Sequence, residues 1–149
     1  MRKGATVTLP RPQRLTAPAA PGELLKRFAA PAPRAPKPDS DGDYLAMVRQ
    51  CPCLKCGMEP SEAAHVRMAS AAYGKSSGMQ QKPADRWALS LCAGCHRLAR
   101  DAQHSRSEQA FWIDLDINPL LTCANLYAVR GDLVAMRAVI FTTIAARRR

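Results

Sequence analysis

Two Cys-x-x-Cys pairs constrain the fold of this chain more than any other feature. The first pair is Cys53 and Cys56, the second is Cys92 and Cys95, and 35 residues separate Cys56 from Cys92. Each pair presents two thiolates from one tight turn, and two such turns supply the four ligands of a tetrahedral zinc site. Because four thiolates leave no open coordination position, the pattern predicts a structural Zn²⁺ ion rather than a catalytic one.

The remaining two cysteines have different expected roles. Cys51 could exchange with Cys53 as a ligand, although the spacing from Cys51 to Cys56 is the less usual one. Cys123 occupies an apolar helical position, which predicts a thiol in the hydrophobic core.

The choice between metal binding and disulfides depends on the compartment. No stretch contains the roughly 18 to 20 uncharged apolar residues of a membrane span, and Pro10, Pro12 and Arg14 interrupt any secretory signal. The sequence therefore predicts a cytoplasmic protein with no membrane partner. In a reducing compartment clustered cysteines bind metal more often than they form disulfides, which stay the alternative.

Charge and proline content set the N-terminal segment apart. The net charge is +10, and residues 1–40 hold eight basic and two acidic residues together with eight of the twelve prolines. Proline removes backbone donors and fixes φ, so we expect a disordered or polyproline-like basic arm over residues 1–40. The excess of positive charge favours a nucleic-acid partner. The arm could follow a phosphate backbone, or it could be a passive linker.

The rest of the chain alternates short elements with turns. We expect one domain over residues 41–128 and a separate C-terminal helix within residues 129–149. The patterns predict a helix capped at Asp41, strands near Ala63–Arg67 and Trp87–Leu91, a long surface loop over residues 68–84, a helix from about Cys95, and helices after Ser107, Asn118 and Asp132.

The order of these motifs resembles a known family. Cys-x-x-Cys, then Ala64-His65-Val66-Arg67, then Cys-x-x-Cys followed directly by His96, is similar to the zinc-stapled branch of the HNH endonuclease superfamily. The small nucleases of bacteriophages and prophages are the most similar, and the resemblance covers about residues 44–128, including Gly78–Asp85 and Ala110-Phe111-Trp112. It implies an α+β fold, a treble-clef-like ββα-metal core with structural zinc and helices after it.

The resemblance also implies catalytic roles. His65 would be the general base, and His96 would bind Mg²⁺ or another divalent cation, so that cleavage leaves 5′-phosphate and 3′-hydroxyl ends. The position before the base, where the family often has a metal ligand, is Ala64, and the middle Asn position falls near Trp87. A second metal ligand must then come from elsewhere. We expect Asp85 first, because hard cations prefer carboxylate oxygen, followed by His104 and Glu62.

Several cations are candidates for DNA contacts. Arg67 and Arg97 lie beside the two histidines in the sequence, and Lys75 and Lys82 lie in the long loop. These four side chains could hold phosphates, or they could simply be solvated. Phe111 and Trp112 are expected in the core rather than stacked on bases.

The resemblance implies a metal-dependent endonuclease that hydrolyses DNA in phage or prophage DNA metabolism, and the basic charge agrees with a DNA substrate. One alternative is a zinc module that binds nucleic acid without cutting it. Another is an adaptor whose arm recruits a phage or host replication or recombination protein. The sequence leaves open the DNA structure that is cut and the oligomeric state.

Overall fold

The computed structural model describes residues 39–76 and 82–147 of the chain. Residues 1–38 of the predicted arm and the centre of the predicted long loop lie outside these residues. Within them the fold is α+β, with one small two-stranded sheet and several helices, as the sequence indicates.

The described residues form four α-helices and two β-strands. In chain order they are α1 (Gly42–Val48), β1 (Glu62–His65), β2 (Ala88–Leu91), α2 (Glu108–Asp114), α3 (Pro119–Ala128) and α4 (Leu133–Ala146). Short 3₁₀ turns occupy Ala71–Tyr73, Asp85–Trp87 and Gln103–Ser105, and Gly94–Leu98 forms one π-helical turn. Among the described helices, none is long and apolar enough to cross a membrane.

The four α-helices begin at side chains that cap them. Asp41, Ser107, Asn118 and Asp132 each accept a hydrogen bond from the backbone N–H three residues further on. Such a bond satisfies one of the free donors in the first turn of a helix. The four helix starts expected from the sequence are therefore confirmed.

The two strands pair antiparallel in a register that fixes the position of the histidines. Glu62 lies opposite Leu91, and His65 lies opposite Ala88. The N–H of Val66 continues the ladder by donating to the Trp87 carbonyl over 2.8 Å. One end of the hairpin therefore brings Glu62 next to the second cysteine pair, and the other end brings His65 next to the turn that precedes β2.

One hydrophobic core joins the sheet to the helices. Phe111 and Trp112 are each 1% exposed, so both belong to the core as expected, and Cys123 is fully buried among them. Helix α4 contributes Met136 and Ile140 to the same core. The C-terminal helix is therefore packed on the rest of the chain and is not an appendage to it.

The segment after Cys95 differs from the expected α-helix. It forms a single π-helical turn, in which the Ala99 N–H donates to the Gly94 carbonyl over 2.9 Å. The wider turn follows directly on the second cysteine pair, where the His96 N–H already donates to the Cys92 carbonyl. Single π turns are common at functional sites because they change the direction of neighbouring side chains.

The core role of α4 can be tested with neighbouring residues. Ile140 is fully buried and Phe141 is 52% exposed. We expect Ile140→Ala to lower the free energy of unfolding by about 2 to 5 kcal/mol, because it leaves a cavity in the core. Phe141→Ala is the matched control and should change it by about 0.5 kcal/mol or less. Urea unfolding followed by circular dichroism measures the free energy of unfolding of both variants. If Ile140→Ala lowers it no more than Phe141→Ala does, Ile140 does not have the proposed core role.

Candidate functional site

The four cysteines of the two Cys-x-x-Cys pairs come together. Their ligating Sγ atoms all lie within 4.8 Å of one another, and Cys56 is 3.6 Å from both Cys92 and Cys95. None of the four forms a disulfide. This cluster can hold a metal ion, and it contains the four cysteines that the sequence spacing indicates.

Backbone hydrogen bonds hold the first cysteine pair against the sheet. The Leu54 N–H donates to the Ser90 carbonyl of β2 over 2.9 Å, and the Gly57 N–H closes the turn on the Cys53 carbonyl over 2.8 Å. Gly57 has a φ of 74°, a left-handed conformation that favours glycine. Cys51 stays outside the cluster as a buried thiol that donates to the Met47 carbonyl, so it does not replace Cys53 here.

The thiols of the cluster differ in acidity. Burial alone would raise the pKa of Cys92, but hydrogen bonds from the Cys95 backbone and the neighbouring thiols lower it below the usual value. Burial and nearby thiols raise the pKa of Cys56 and of Cys95. Four thiols this close cannot all ionise unless a cation neutralises them, so metal binding must release protons.

His65, which is half-buried, forms a pair with the buried carboxylate of Asp85. Its Nε2 lies 2.9 Å from Oδ1 of Asp85, and the side chains of the two residues are 17% and 3% exposed. The antiparallel register explains the contact, because His65 ends β1 where the 3₁₀ turn Asp85–Trp87 leads into β2. Burial and the positive charge of Lys82 lower the pKa of His65, although Asp85 opposes them.

Asp85 is engaged on both carboxylate oxygens. Besides His65, Lys82 donates to Oδ1 over 2.8 Å, and the backbone N–H of Asp41 donates to Oδ2 over 3.0 Å. Burial would raise the pKa of Asp85, but these three donors outweigh it and lower the pKa to about 2. Asp85 is therefore an ionised acceptor near neutral pH, and it holds the His65 ring rather than presenting free oxygens to a metal ion.

His96 is held by a second carboxylate, at the other end of the hairpin. Its Nδ1 lies 2.7 Å from Oε2 of Glu62, and Arg97 donates from Nε and Nη2 to the same carboxylate. The hydrogen bonds from Arg97 and His96 lower the pKa of Glu62 to about 2. An ionised carboxylate only accepts, so Nδ1 of His96 donates to Glu62, and Nε2 is the nitrogen that carries the lone pair when the ring is neutral.

His104 connects the two histidine sites. Its ring lies edge-on to His96 with 4.6 Å between the ring centroids. It also lines, together with His65, a cleft of about 240 Å³ whose other walls are Arg67, Gln103, Arg106 and Glu108. Burial, together with the nearby His96 and Arg67, lowers the pKa of His104. The structure thus gathers all three histidines of the chain around one hairpin.

The cations proposed for DNA contacts have different surroundings. Arg67 lines the cleft, and its backbone N–H donates to both oxygens of Glu108. Arg97 forms an ion pair with Glu62, and Lys82 forms one with Asp85. Lys75 is only 5% exposed, so the solvated alternative does not hold for this residue.

Three residues of the cleft, Gln103, Arg106 and Glu108, were not identified in the sequence. Gln103 donates from Nε2 to Oε1 of Glu108 over 2.8 Å and to the His65 carbonyl over 3.4 Å. Glu108 begins α2, and its carboxylate also caps the backbone after β1. A glutamate in the first turn of a helix is ordinarily explained by its interaction with the helix dipole. The position of Glu108 in the sequence therefore does not predict its contact with the backbone N–H of Arg67.

We expect each chain to bind one thiophilic divalent metal ion through the cysteine cluster. Cys95→Ser should lower the metal content well below one ion per chain, because it removes a ligand that a hydroxyl does not replace well. Cys51→Ala is the matched control, because Cys51 lies two residues before Cys53 in the sequence but outside the cluster in space. Elemental analysis of purified protein measures both, and metal lost only from Cys51→Ala would contradict the assignment.

Comparisons with protein-family models, with curated proteins and with solved structures found no significant match. The functional interpretation therefore depends on the residues of this chain and on their geometry.

Proposed function

We propose that this protein is a divalent-metal-dependent endonuclease of the HNH type that hydrolyses DNA phosphodiester bonds, in phage or prophage DNA metabolism. The observation that carries the proposal is the His65–Asp85 pair, which opens into a cleft shared with His104, itself in contact with His96. A histidine base beside imidazole ligands is the arrangement that the sequence resemblance implies for a ββα-metal core.

The cysteine cluster fits a structural Zn²⁺ ion. With Zn–S bonds of about 2.3 Å, a tetrahedron separates its sulfur atoms by about 3.8 Å. Two of the Sγ distances are 3.6 Å, close to that value. Cys53, Cys56, Cys92 and Cys95 would complete the coordination, so this ion would support the hairpin without taking part in the reaction.

The donors around His96 and His104 fit a second, catalytic cation. Their rings are in contact, and Glu62 leaves the Nε2 lone pair of His96 free. Among the described residues, only the cysteine cluster places three or more ligating atoms within 4.8 Å of one another. Two protein ligands suffice for a cation that also binds water and substrate phosphate. Such a cation would neutralise charge on the scissile phosphate and stabilise the leaving 3′ oxygen.

His65 is the proposed general base. Because Asp85 is ionised, it accepts a hydrogen bond from the Nε2–H of His65, which leaves the lone pair of Nδ1 to take a proton from water. The lowered pKa of His65 keeps this ring neutral at pH 7. In this assignment Asp85 orients the base, and His104 takes the place of second metal ligand that the sequence interpretation gave first to Asp85.

Binding without cleavage is the second candidate function. It is favoured by the absence, in the part of the chain that the structure describes, of a preformed three-ligand site other than the cysteine cluster. A basic zinc module with Arg67 at a cleft could hold a phosphate backbone with no reaction at all. Cleavage assays separate the two candidates.

His65→Ala tests the role of the base. We expect it to slow nicking of supercoiled plasmid by about 10²- to 10⁴-fold, the contribution of a positioned base, and to leave DNA binding unchanged. Gln109→Ala, an exposed change on α2, is the control and should retain full activity. The assay compares Mg²⁺, Mn²⁺ and no added divalent cation. Wild-type protein that binds plasmid but never nicks it would support the binding module instead.

The pH dependence follows from the lowered pKa of His65. The base is active when neutral, so the rate should be on its plateau at pH 7 and fall only below the ordinary histidine value of about 6.5. Asp85 raises the pKa of His65, so in Asp85→Asn the acid limb should move to lower pH while the plateau rate drops. Initial rates measured from pH 5 to 8 give both quantities, and a limb that moves to higher pH would contradict the pairing.

A further inference from the structure

A second cavity is lined by the two residues that flank Asp85 in the sequence, Ala84 and Arg86. It measures about 260 Å³, and its walls include Lys75, Lys82, Arg86, Tyr73 and a single acid, Asp39. Lys82 joins the two sites, because it lines this cavity and donates to the carboxylate that holds His65. The cavity therefore adjoins the proposed base through one shared carboxylate.

Lys75 is placed in the wall by a tight turn. Ser70 and Lys75 exchange two backbone hydrogen bonds of 2.9 Å, and Gly74 between them takes a φ of 61°. The turn buries Lys75 to 5% exposure. Burying a cation is costly without a counter-charge. Among the described residues Lys75 forms no ion pair, and the carboxylate that acts on it, Glu108, lies beyond ion-pair distance.

Arg86 is the second cation of this wall without an acidic partner among the described residues. Its guanidinium lies over the rings of Trp87, at 4.9 Å, and Tyr127, at 5.5 Å. Stacking holds the group in place while its N–H donors stay available for a planar or tetrahedral anion. Among the described residues that line the cavity, three cations and one carboxylate give a net charge of +2, and Asp85 pairs with one of these cations, Lys82.

We propose that this cavity binds the phosphomonoester end of a nucleic-acid strand, so that the protein acts on DNA near phosphorylated ends. A terminal phosphate carries close to two negative charges at pH 7, which matches the lining charge. A phosphodiester is held at the surface by a sugar on each side, whereas a terminal phosphate can enter a cavity and reach a buried amine. The volume is below the range of pockets for drug-sized ligands and suits a phosphate with its sugar.

The proposal rests on the proposed function in one respect, since it takes the substrate to be DNA. The two can nevertheless fail separately. A supercoiled plasmid has no ends, so nicking of plasmid tests the nuclease alone. Binding of short duplexes without added divalent cation tests the cavity alone.

The experiment measures the affinity of the full, zinc-containing chain for fluorescent duplexes that end in a 5′-phosphate, a 3′-phosphate or only hydroxyls. We expect one phosphorylated end to bind about tenfold more tightly than the hydroxyl end, the size of a charge-assisted contact. Lys75→Met and Arg86→Met should each abolish this preference. Arg49→Met removes one exposed charge away from the cavity and should retain it.

Three results would overturn the proposal. The first is equal affinity for all three kinds of end. The second is a preference for a phosphorylated end that remains in both Lys75→Met and Arg86→Met. The third is that free deoxyadenosine monophosphate displaces the duplex at the same concentration as an unlabelled duplex with a phosphorylated end does. The last result would assign the cavity to a free mononucleotide. Circular dichroism of each variant confirms that it is folded, and Arg86→Met decides the question if Lys75→Met does not fold.

Discussion

The meeting of four thiols from two distant turns is the constraint on which the rest of this structure depends. Two strands of four residues cannot form a stable hairpin by themselves in water. The cysteine cluster joins the turn before β1 to the turn after β2, and the core beneath the sheet supports both. A metal ion bound there would add its binding free energy to folding, because the unfolded chain does not gather the four ligands.

Once the hairpin is fixed, two carboxylates determine what the histidines can do. Glu62 and Asp85 lie at opposite ends of the sheet and are both ionised near neutral pH. Each accepts a hydrogen bond from one ring nitrogen of a histidine and leaves the other nitrogen free. His96 and His65 thus differ in which ring nitrogen is available to a further partner.

Much of this arrangement follows from local sequence signals. The Cys-x-x-Cys spacing predicts the four cysteines of the cluster, and the structure excludes Cys51, the alternative that the sequence left open. Asp41, Ser107, Asn118 and Asp132 cap helices through bonds that span three residues, so the sequence alone predicts them. The contacts of Glu62 with His96 and of Asp85 with His65 span 34 and 20 residues, and they depend on strand register.

The sequence by itself determined the sulfur cluster, the helix starts and the burial of Phe111 and Trp112, since each follows from spacing or from local chemistry. Only the tertiary structure decided that His104 lies against His96 and that Lys75 is buried in the wall of a basic cavity. It also decided that the Asp85 carboxylate accepts hydrogen bonds from His65, Lys82 and the backbone. The reason is physical: these contacts arise from the pairing of β1 with β2 and the packing of the turns around it, and no local pattern encodes which side chains a strand register brings together.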